Sequence, residues 1–70
     1  MTSDAEAKLE RLRAQLLHHR ESAREFASAG HAAMTERHER LVKLVCAEIR
    51  RHCLTSGLEI PDDVPPGPLD

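Results

Sequence analysis

Tryptophan and tyrosine are absent from this 70-residue chain, and phenylalanine occurs once. That removes the aromatic platforms on which single-strand nucleic-acid binders stack bases. Glycine is scarce too. Its three occurrences are scattered, so no glycine-rich loop is available to cradle a phosphate. Two cysteines are too few for a disulfide scaffold, and the acidic, polar opening MTSDAEAKLE lacks the pattern of a secretory signal. A reducing, cytoplasmic setting is therefore expected. No apolar run approaches the ~18 residues of a membrane span, and the C-terminal Gly-Pro-Leu-Asp is no prenylation box, so no membrane is expected as a partner. Ser22, Ser28 and Ser56 sit in no motif that would supply a base and an oxyanion hole. The sequence predicts no enzyme and no catalytic residue.

Charge is plentiful and mixed. Residues 4–28 balance Asp4, Glu6, Glu10, Glu21 and Glu25 against Lys8, Arg11, Arg13, Arg20 and Arg24. Residues 31–56 carry a small basic excess through Arg37, Arg40, Lys43, Arg50 and Arg51. The end of the chain holds Glu59, Asp62, Asp63 and Asp70 with no cation, together with all four prolines. Interspersed signs suit long solvated helices, whereas an acidic, proline-rich stretch reads as irregular. The formal net charge is −2.

Two helices follow from the pattern. Ser3 with Glu6 three residues later has the spacing of a capping box, and Asp4 and Glu6 complement the positive helix end. Ala5, Leu9, Leu12, Leu16, His19, Ala23 and Phe26 then recur at alternating spacings of four and three, a heptad seam interrupted by one histidine. Nothing from Ala5 to Ala27 breaks a helix, which would run about 35 Å. The second stripe holds Met34, His38, Leu41, Val42, Val45, Ile49 and Cys53, and Leu44 and Cys46 widen it on its two flanks. Gly57 is placed as a C-cap, and Leu58 beyond it is positioned to fold back onto Cys53 or Leu54.

Ser28-Ala29-Gly30-His31 reads as a stop, with the next helix starting at Thr35 or nearer. The expected fold is all-α: an antiparallel two-helix hairpin over residues 1–57, with helices at about 4–28 and 32–56. Residues 58–70 form an irregular acidic, proline-rich tail. One unbroken helix forming a coiled coil is the competing arrangement, because a single glycine costs a helix only about 1 kcal/mol relative to alanine.

Function is read from what such a hairpin cannot cover. So short a chain buries a modest core, and the apolar stripe of the second helix is wider than one packed face requires. The sequence therefore predicts a protein–protein interaction module of adaptor, regulator or co-chaperone type. It would complete a helical bundle by pairing with itself or docking on a larger protein. Leu41, Val42, Leu44, Val45 and Ile49, facing Leu9, Leu12, Leu16 and Phe26, are the expected contact residues. The alternative is a nucleic-acid-binding hairpin using Arg40, Lys43 and Arg50 with Arg13 and Arg20, since basic stripes can track phosphates. The acidic balance and pairs such as Glu36–Arg40 argue against it.

The histidines and cysteines do not add up to a cofactor or metal site. Glu48 with His52 has ligand spacing on a helix, but no Glu-x-x-His motif occurs. Cys46 and Cys53 are separated by roughly 10 Å along a helix, too far for a disulfide within it. His19 differs from the rest in occupying a seam position, where a polar residue can set register and where protonation can loosen packing.

Overall fold

The computed structural model describes residues 3–65. It is an all-α hairpin of two 25-residue helices, α1 (Asp4–Ser28) and α2 (Ala32–Ser56), packed against each other. At the start of α1 the Glu6 amide donates to Ser3 Oγ and the Ser3 hydroxyl donates to Glu6 Oε1, both at 3.1 Å. Ser3 itself is extended, as a capping residue must be.

The end of α1 decides between hairpin and continuous helix. Gly30 takes φ +79°, its amide donates to Ala27 O at 3.2 Å, and the His31 amide donates to Phe26 O at 2.9 Å. This pair of bonds is the Schellman closure, which satisfies the last carbonyls and turns the chain away from the helix axis. The single unbroken helix is thereby ruled out. α2 starts at once, with the Thr35 amide and hydroxyl both donating to His31 O at 3.0 and 2.9 Å. His31 itself makes no side-chain cap. At the other end Gly57, φ +70°, repeats the glycine cap, and the Leu58 amide donates to Cys53 O at 2.9 Å.

The seam of α1 and the stripe of α2 meet across the hairpin. Leu12 and Leu16 are buried against Val45, Cys46, Ile49 and Cys53, with Leu9, Val42 and Leu58 partly buried at the margin. Each aliphatic side chain so placed contributes about 1.5–3 kcal/mol. His52 ties the open ends of the two helices together. Its Nε2–H donates to Ala5 O at 2.8 Å while Ser56 Oγ lies 3.4 Å from Nδ1. A carbonyl only accepts, so this bond fixes the tautomer with the proton on Nε2.

The seventh member of the core comes from outside the helices. Residues 58–65 contain neither helix nor strand, but Val64 is only 4% exposed and packs into the cluster. A turn closed by the Val64 amide on Pro61 O at 3.1 Å points its side chain inward. The segment crosses the hairpin as a strap. The expected irregular tail is thus irregular in conformation but not detached over residues 58–65. Residues 66–70, also part of that expectation, lie outside the described residues.

Candidate interaction surfaces

Of the nine apolar residues singled out for partner contact, four are the hairpin's own interior. Leu12, Leu16, Val45 and Ile49 are buried within one chain. The facing arrangement read from the sequence is therefore realised between α1 and α2, and these four cannot meet a partner while the hairpin is closed. Leu9, Val42, Leu41 and Phe26 are half-buried, and Leu44 is 65% exposed.

Leu44 and Cys46 were equivalent by pattern, one on each flank of the stripe. The strap makes them unequal. Two residues advance a helix by about 200°, so the two side chains leave α2 on opposite sides. Cys46 is 3% exposed and in the cluster that holds Val64, whereas Leu44 is open. Leu41, one turn before Leu44, shares its side. Leu17 and Leu54 are exposed as well, but on α1 and near the end of α2.

The basic stripe is divided in the same way. Arg13 Nη2 is 3.5 Å from Asp63 Oδ1, and Arg20 Nη1 is 3.9 Å from Asp63 Oδ2. Arg20 Nη2–H also donates to the Asp63 carbonyl at 2.8 Å, and Arg50 Nη1–H donates to Pro65 O at 2.9 Å. The structure thus gathers Arg13, Arg20 and Arg50 around the strap, although the sequence grouped them with Arg40 and Lys43 as phosphate contacts. Arg40 and Lys43 are exposed and form no ion pair among the described residues.

A polar cluster sits in the seam near the closed end. His19 Nδ1 and His38 Nδ1 are 3.1 Å apart, His18 lies with its ring centroid 5.3 Å from that of His19, and Phe26 stacks on His38 at 5.5 Å. One Nδ1 must carry the hydrogen and the other accept it. Burial, then the neighbouring His18 and His38, hold the His19 pKa below its ordinary value. The sequence marked His19 as a polar seam residue. His38 stands in the facing stripe, and only the hairpin register shows that the two meet.

Cys46 and Cys53 are free, buried thiols. Among the described residues no group of three or more His, Cys, Asp or Glu side chains is placed to hold a metal ion, and no helix is long and apolar enough to cross a membrane. Comparison with protein-family models, curated proteins and solved structures finds no match.

Proposed function

We propose that this protein is a small helical protein–protein interaction module, of adaptor, regulator or co-chaperone type, that engages its partner through the Leu41–Leu44 side of α2. The observation that carries this reading is Leu44, 65% exposed in the middle of α2 while the opposite flank lies under the strap. The molecule is only 16 Å in its shortest extent, little more than one helix layer deep. A two-helix layer has two broad faces, and here residues 58–65 cover one of them. A helix laid along the other, from a larger protein or a second copy, would bury Leu44 and the half-buried Leu41 together. The buried free cysteines accord with a cytoplasmic setting.

Capture from lysate on immobilised full-length protein, with and without nuclease and at two salt concentrations, tests the reading. Protein partners retained after nuclease and high salt, and lost with Leu44→Glu, are the expected result. Recovery of nucleic acid alone, lost at high salt and weakened by Arg40→Ala and Lys43→Ala, would establish the phosphate-binding alternative instead.

A further inference from the structure

We infer that the groove between α1 and α2 on the Arg13, Arg20 and Arg50 side is a binding site for a short acidic–aliphatic peptide segment, and that residues 61–65 of this chain fill it as a displaceable internal occupant. The surface is separate from the Leu41–Leu44 side and does not depend on it.

The occupant itself defines what the groove accepts. An aspartate is received by two guanidiniums, the next residue inserts an aliphatic side chain into the core, and two backbone carbonyls are capped by Arg20 and Arg50. Two of these recognition elements read backbone or charge rather than a particular side-chain shape. Any segment that carries a carboxylate followed by a branched aliphatic residue through the same kind of turn presents the same groups.

Three features make the occupant displaceable. Val64 is the only buried side chain of residues 59–65. The hydrogen bonds that hold residues 59–65 to the helices come from arginine side chains, and its one backbone bond, Val64 to Pro61, is internal. Both ion pairs are open to water, with side-chain exposures of 50% for Arg13, 35% for Arg20 and 46% for Asp63. Pairs of this kind hold weakly and are screened by salt.

The groove also offers more than the strap uses. Arg20 borders an adjoining depression floored by Ala23 and Val42 and rimmed by Arg24, Lys43 and Glu39. A partner segment that reached both places would gain contacts with two further cations. That gain is what an external ligand needs, since a tethered competitor acts at an effective concentration on the order of millimolar.

The test uses the full chain and a fluorescently labelled peptide with the sequence of residues 58–65. Anisotropy titrations compare wild type with the double variant Asp63→Ala/Val64→Ala, whose strap is loosened. The loosened variant is expected to bind about ten-fold or more tightly than wild type. Adding Arg13→Glu and Arg20→Glu should abolish that binding, and a peptide with both aspartates replaced by asparagine should bind at least about ten-fold more weakly. Circular dichroism of the variant and hydrogen exchange of the wild type accompany the titration. Strap amides should exchange far faster than those of Ile49 and Cys53. Loss of helix in the variant, or strap protection equal to that of the core, would make the strap an integral part of the fold and overturn the proposal. So would an intact variant that binds no better than wild type. A variant that sediments as a dimer and ignores the peptide would show that a second copy fills the groove, which also overturns it.

Discussion

His19 on α1 and His38 on α2 face each other Nδ1 to Nδ1 at 3.1 Å, so the polar residue in each seam is the partner of the other. Burial first, then the neighbouring His18 and His38, make folded His19 bind a proton less readily than unfolded His19, whose reference pKa is 6.5. The stability tied to its neutral form is fully present above pH 6.5 and is lost as pH falls from 6.5 through the lowered folded value. Thermal unfolding at pH 7.5 and 5.0 should show a lower midpoint in acid. His19→Leu removes the titrating group, and should reduce that difference. An unchanged difference in the variant would exclude His19 as its source.

Burial separates two leucines that the sequence placed together among the expected contact residues. Leu16→Ala, at a fully buried site, should destabilise the hairpin by about 2–5 kcal/mol. Leu44→Ala should change stability by no more than about 0.5 kcal/mol. Urea titrations followed by circular dichroism read both. If Leu44→Ala proves as costly as Leu16→Ala, Leu44 is covered in solution.

Val45→Asp places a carboxylate without a partner in the intramolecular core, and such burial is expensive. The expected outcome is loss of the helical signal by the isolated chain at every protein concentration. A folded monomeric variant would contradict the hairpin packing.

Gly30 and Gly57 both have positive φ, and a Cβ added at either meets nothing within 4 Å. Gly30→Ala and Gly57→Ala should therefore each cost only the left-handed backbone strain, about 1–2 kcal/mol. Their secondary effects should differ. Gly30→Ala favours continuing α1 into α2, which opens both seams and requires a second chain to cover them. Sedimentation should detect added dimer for Gly30→Ala and none for Gly57→Ala.

Local structure was legible in the residues alone. The Ser3–Glu6 box and the glycines at 30 and 57 are short-range signals that act through bonds within a few residues, and the four-and-three spacing from Ala5 to Phe26 marks which face of α1 is apolar. The stripe also identified most of the interior, because an amphipathic helix buries the face its spacing makes apolar. Which flank of α2 is covered was not legible. Leu44 and Cys46 have the same standing in the pattern, and only the path of residues 58–65 distinguishes them. That path depends on Asp63 meeting Arg13 and Arg20, fifty and forty-three residues away in the chain, and on Val64 joining the core cluster formed by the two helices. Proline and carboxylate content correctly denied the segment a helix, but composition carries no information about docking, which is a property of the surface that two packed helices create together. The meeting of His19 with His38 was decided in the same way, by the register of a turn whose geometry places two seam positions face to face.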